Sequence, residues 1–143
     1  RHTRYGTVTG VQTCALPICN NCSIINDVIN MEQKSVFELI LSGELDSEII
    51  YEDDEIFAIN DINPVAKVHI LIIPKRKIET INDVSLEDQN LLGKMILVAK
   101  DLAKKYNINE SGYRLLFNTN SDAMQTVFHI HLHLIGGEKL KNI

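Results

Sequence analysis

The stretch His129-Ile130-His131-Leu132-His133 constrains this chain more than any other. Three histidines alternate with apolar residues, and Val127-Phe128 before them and Leu134-Ile135 after them are apolar too. Strict alternation is a strand signal, and in a strand successive side chains point to opposite faces. The pattern predicts a strand over His129–Ile135, with three imidazoles on one face and Ile130, Leu132 and Leu134 on the other. One face packs a core while the other presents a row of ring nitrogens. An unperturbed imidazole titrates at about 6.5 and serves as base or acid near neutrality, so the row predicts chemistry.

The rest of the chain supplies a sheet for that strand. Ser35–Leu41 reads as a short helix stopped by Ser42-Gly43. Ile49–Glu52 and Ile56–Ile59 read as a hairpin about the turn Asp53-Asp54-Glu55. Asn60–Pro64 is a polar loop, and His69–Pro74 a central strand ended by its proline. Ser85 with Asp88 forms a capping-box-like start, followed by apolar residues at helical spacing, which predicts one long amphipathic helix over Leu86–Tyr106. Tyr113–Phe117 and His129–Ile135 are the last strands. The order favours an α+β fold: a five-stranded, mainly antiparallel sheet with one long and one short helix. One long helix covers only one face of such a sheet, so a homodimer is an expected way to cover the other.

At 143 residues, 45% hydrophobic and 23% charged, the chain has the length and composition of a single globular domain. A formal charge of −5 argues against a general electrostatic grip on nucleic acid. No apolar run approaches the roughly 20 residues that cross a bilayer, so no membrane partner is expected. All three cysteines, Cys14, Cys19 and Cys22, precede the first methionine, Met31. The cysteine-free remainder fits a reducing cytoplasm. Residues 1–18 lack the unbroken apolar core of a signal peptide and resemble the conceptual translation of a short-read sequencing adapter. Residues 1–30 are accordingly expected to be a non-native or disordered leader, with the functional body at 31–143. Cys19-Asn20-Asn21-Cys22 has no second CxxC to complete a zinc site.

After Met31 the histidines are His69, His129, His131 and His133. If their strands are neighbours, all the imidazole of the domain converges on one site. A core reading is disfavoured because each buried ring needs its own hydrogen-bond partners. A shared metal is disfavoured because His129 and His133 lie about 13 Å apart along a strand, and no carboxylate or cysteine lies within the triad stretch. Nucleophilic catalysis fits better. A neutral imidazole can attack phosphorus and leave again, provided that its other nitrogen is held, typically by a backbone carbonyl. His131, with a same-face neighbour on each side, is the natural nucleophile.

His129–Ile135 followed by Gly136-Gly137 resembles the motif of the histidine triad family. The resemblance runs from about Val36 to Gly137 and includes Glu52-Asp53-Asp54, Asp61-Ile62-Asn63-Pro64, His69 with Ile73-Pro74-Lys75, Asn118, and Gln125-Thr126-Val127. The HLIGG ending is more similar to the purine nucleoside phosphoramidase branch than to the dinucleoside-polyphosphate hydrolase branch. His133 stands where the uridylyltransferase branch has Gln.

The resemblance implies a nucleotide hydrolase or transferase acting at the α-phosphorus of purine nucleoside phosphoramidates or adenylylated leaving groups. His131 would form a nucleotidyl intermediate. His133 would contact the phosphate and assist the leaving group. His129 would hold the nucleophile's tautomer through its carbonyl, and His69 would sit behind the triad. Asp61 would accept the ribose hydroxyls beside Asn60. Asn118, Gln125, Thr126 and Val127 would face the phosphate or leaving group. Val36, Phe37, Ile40, Ile59, Ile62 and Leu71 would wall the base pocket, although Ile40 and Leu71 read equally well as core. The partner implied is AMP or an AMP conjugate, with no cofactor and no metal. Relatives in bacteria often carry a zinc-binding CxxC where this chain has Ser35 and Glu38, and Met124 stands where the family usually has Gly. A dinucleoside polyphosphate hydrolase, or a nucleotide-binding regulatory module with weak catalysis, is the alternative.

Overall fold

Ile56–Asn60 and Val68–Pro74 are almost wholly apolar, and both become central strands buried on both faces. The computed structural model describes residues 34–143, within which Ser35–Ile143 forms one unit. The expectations for residues 1–30, including the adapter-like segment and Cys19 and Cys22, lie outside the described residues.

The unit opens with helix α1, Val36–Leu41. Hairpin strands β1, Ile49–Glu52, and β2, Ile56–Asn60, follow, then β3, Val68–Pro74. Helix α2 spans Gln89–Lys105, and strands β4, Tyr113–Leu116, and β5, Leu132–Gly136, complete the unit. The sheet order is β1-β2-β3-β5-β4, antiparallel throughout. Inserting β5 between β3 and β4 places the end of the triad beside His69, whose register partner is Ile135.

Period-two alternation divides the sheet's side chains between two cores. Ile56, Ala58, Ile70, Ile72, Ile130, Leu132 and Leu134 pack with Met95, Val98, Ala99 and Leu102 of α2. Phe57, Ile59, Leu71 and Ile73 pack with Phe37 and Ile40 of α1. The face left open in the sequence reading is therefore covered in part by α1. Within the described residues no helix is long and apolar enough to cross a membrane.

Two boundaries differ from expectation by more than one residue. The triad strand does not begin at His129; regular pairing starts at Leu132. Extending the β3–β5 register would set Ile130 opposite Pro74, and proline has no N–H to give a ladder. The N–H of Ile130 instead bonds the carbonyl of Ile78 at 2.7 Å. The long helix begins at Gln89 rather than Leu86, because Leu86–Asp88 forms a 3-10 turn. That turn is fastened by the Asp88 carboxylate accepting the N–H of Ser85 at 2.9 Å.

Candidate active site

Although His129 and His131 precede the paired strand, the alternation still sorts the side chains as the sequence predicts. Ile130, Leu132 and Leu134 enter the α2-side core, while His131 and His133 line a cavity of about 440 Å³ on the α1 side. Its apolar wall is Val36, Phe37 and Ile40 of α1 with Ile59, Ile62 and Leu71. Its polar rim holds Asn60, Asp61 and Asn118, with Thr126 and Val127 from the loop before the triad. Ile40 and Leu71 are both core and wall, so their two readings coincide. Of the residues expected to bind nucleotide, all but Gln125 line this cavity.

Gln125 is buried and braces the loop. Its Oε1 accepts the N–H of Asn120 at 2.8 Å, and its Nε2 donates to the carbonyls of Glu79 and Val127 at 2.8 and 3.1 Å. The same loop holds Met124 at φ 61°, ψ 35°, in the left-handed region. That conformation is why glycine suits the position. The methionine is 79% exposed and borders the cavity.

Hydrogen bonds assign each ring a tautomer, because a carbonyl can only accept and a backbone N–H can only donate. His131 Nδ1 lies 2.8 Å from the carbonyl of His129. That nitrogen therefore carries the proton, and Nε2 keeps its lone pair for the cavity. His129 Nε2 donates to the carbonyl of Pro74 at 2.7 Å, which leaves Nδ1 to accept from the Ser35 hydroxyl at 2.8 Å. His69 Nδ1 accepts the N–H of Val65 at 3.2 Å, so its Nε2 is the donor toward His133 Nδ1 at 2.9 Å. His133 consequently carries its proton on Nε2, and that atom is buried without a hydrogen-bond partner. An unpaired buried donor is costly, and it suits an incoming acceptor.

Electrostatics supports the same assignment. Burial lowers the pKa of His131 against the opposing pull of the His129 carbonyl. Burial, with His131 and His69 beside it, takes His133 down to about 4. Burial also lowers His129 and His69, the latter opposed by Asp61. All four rings are therefore neutral near pH 7. Phe37 packs edge-on against His129 and His131, with centroids 5.7 and 5.0 Å away, and fixes both rings laterally.

His129 and His69 do not line the cavity; the His129 carbonyl meets His131 Nδ1, and His69 Nε2 meets His133 Nδ1. Asp61, by contrast, comes closer to the histidines than its place in the sequence suggests, with Oδ2 3.4 Å from His69 Nε2. Asp61, His69 and His133 each offer a ligand atom within 4.8 Å of the others, so a carboxylate does stand near the imidazoles. In that cluster His69 Nε2 and His133 Nδ1 are hydrogen-bonded to each other at 2.9 Å.

Sequence reasoning overlooked Ser35 and Pro74 as partners of His129, and Leu45, Asp46, Ser47 and Asn63 on the cavity wall. The sequence placed Ser35 at the start of the short helix, but nothing in it joins that residue to a histidine 94 positions away.

The family model described as HIT domain matches residues 42–140. The chain is 48% identical over 110 residues to the purine nucleoside phosphoramidase of Escherichia coli (strain K12), covering 77% of this chain and 92% of that protein. It superposes on the crystal structure of a HIT family hydrolase from Legionella pneumophila Philadelphia 1 with a TM-score of 0.74. The two are 46% identical over 76% of this chain and 96% of the other. A HIT family hydrolase from Clostridium thermocellum also gives a TM-score of 0.74, at 41% identity over 78% of this chain and 96% of the other.

Proposed function

The chain belongs to the HIT-domain family, and from that premise we propose that it hydrolyses purine nucleoside phosphoramidates or related AMP conjugates through a nucleotidyl group carried on His131. The observation that carries this reading is the tautomer chain. It leaves a lone pair on His131 Nε2 and an unpartnered donor on His133 Nε2 in one cavity. The relation to the Escherichia coli purine nucleoside phosphoramidase supports the substrate class.

In the proposed reaction the base lies against Val36, Phe37, Ile40, Ile59, Ile62 and Leu71, and the ribose hydroxyls bond Asp61, beside Asn60. The α-phosphate sits between His131 and the loop bearing Thr126 and Val127, with Asn118 opposite and Gln125 bracing the loop beneath it. His131 Nε2 attacks phosphorus, forming a P–N bond as the bond to the leaving nitrogen breaks. The amine departs from the N-protonated substrate as a neutral molecule, and His131 retains its Nδ1 proton against the His129 carbonyl. The ring becomes a nucleotidyl-imidazolium, a good leaving group. Water then attacks the same phosphorus, nucleoside monophosphate leaves, one proton passes to solvent and neutral His131 is restored. Because His133 is neutral, it acts as a hydrogen-bond donor to the phosphoryl oxygens, where charge develops, rather than as a source of protons.

His131→Ala is expected to lower turnover of adenosine 5′-phosphoramidate by at least about a thousandfold while AMP affinity changes by less than about tenfold. Turnover and calorimetric AMP binding check this together. Unchanged turnover in that variant removes the nucleophile from the mechanism. The exposed Ile96 and Leu97 on α2 and the position of β4 at the end of the sheet support a homodimer. A cytoplasmic setting is the reading supported by the absence of cysteine after Met31.

A further inference from the structure

Ser35 caps α1 and has one interaction that capping does not use. Its Oγ accepts the N–H of Glu38 at 3.2 Å, and Glu38 Oε2 accepts the N–H of Ser35 at 2.7 Å, the reciprocal pair of a capping box. Both bonds leave the hydroxyl hydrogen free, and Oγ stands 2.8 Å from His129 Nδ1. Because His129 Nε2 donates to Pro74, Nδ1 has only a lone pair to offer, and Ser35 is the donor. The fully buried His129 ring is thus tied at one end to the cap of α1 and at the other to the end of β3.

We infer that Ser35 is a positioning residue for transfer at His131, a role that rests on the nucleophile reading. Its O–H fixes the ring and tautomer of His129, and so the backbone carbonyl by which His129 holds His131 Nδ1. Without the hydroxyl, the buried Nδ1 lone pair loses its partner. The ring is then free to turn, to change tautomer or to take up a proton, and the carbonyl of the same residue moves with it. Val36 and Phe37, which follow Ser35, wall the cavity. One residue therefore sets the base wall and the attacking nitrogen relative to each other.

Capping and positioning separate by substitution. Ser35→Gly removes the hydroxyl, yet glycine is itself a well-tolerated N-cap residue, so the helix start is kept. Ser35→Thr keeps both cap and donor. With adenosine 5′-phosphoramidate, Ser35→Gly is expected to lower kcat by about tenfold with KM within about twofold, since small misalignments of a nucleophile cost rate rather than binding. Ser35→Thr is expected to restore most of kcat. Two-bond 1H–15N spectra of the imidazoles are expected to show His131 protonated at Nδ1 in the wild type and mixed in Ser35→Gly. An unchanged kcat, or a rise in KM alone, reduces Ser35 to a helix cap and overturns the inference. If the wild type turns over no phosphoramidate, the functional reading fails. The spectra then still decide Ser35, because unchanged His129 and His131 tautomers in Ser35→Gly overturn its positioning role independently of activity.

Discussion

His131 can attack only while its Nε2 lone pair is unprotonated, and burial extends that state to acid by lowering its pKa. His133 lies lower still, at about 4. The rings titrate as an interacting set, so a rate profile reports macroscopic values belonging to the group. The acid limb of kcat/KM is expected below the ordinary imidazole value of 6.5; a pH–rate profile with its limb above 7 contradicts the burial argument. Met124 carries a second residue-level prediction. The left-handed region costs a side chain roughly 1–2 kcal/mol, offset by glycine's greater loss of freedom on folding, about 0.5–1 kcal/mol. Met124→Gly is thus expected to change stability by no more than about 1.5 kcal/mol. Because Met124 borders the cavity, the same change is expected to raise kcat/KM for bulky leaving groups more than for ammonia, which a series of N-substituted phosphoramidates measures.

At the scale of elements, local chemistry made some boundaries legible and long-range pairing hid others. The short helix was readable because Ser42 and Gly43 stop it, and Gly43 does adopt φ +83° past its end. The hairpin was readable because Asp53 lies in its turn, where its carboxylate accepts the N–H groups of Glu55 and Ile56. The start of β5 was hidden because it depends on which residue of β3 lies opposite, and Pro74 becomes that neighbour only in three dimensions. The cavity walls were legible through family resemblance, whereas the link from Ser35 to His129 needed the fold. Helix α2 gives a stability prediction that leaves the site untouched. Met95 is fully buried on the face opposite the cavity, so Met95→Ala is expected to cost about 2–5 kcal/mol. Denaturant unfolding measures the loss, and KM for the phosphoramidate is expected to stay at the wild-type value.

For the molecule as a whole, the sheet keeps two jobs apart: one face joins α2 in the larger core, and the other joins α1 and the histidines. The site therefore weakens the fold in acid. Each of the four imidazoles has a folded pKa below 6.5, so the unfolded chain binds protons first as pH falls and stability falls with it. The loss begins near 6.5 and extends toward the value of about 4 for His133. Asp53 and Asp88 also lie below the ordinary carboxylate value of 3.8 in the fold, so they add to the loss at lower pH. Melting temperature is expected to drop steadily from pH 7 to pH 4; a flat or rising profile contradicts this. The central claim is that phosphorus changes partners twice, first to His131 and then to water. Each in-line displacement inverts phosphorus, so hydrolysis of a substrate made chiral at the α-phosphorus by sulfur, in isotopically labelled water, decides it. Overall retention of configuration is the predicted result, and inversion, the mark of direct attack by water, would contradict the account.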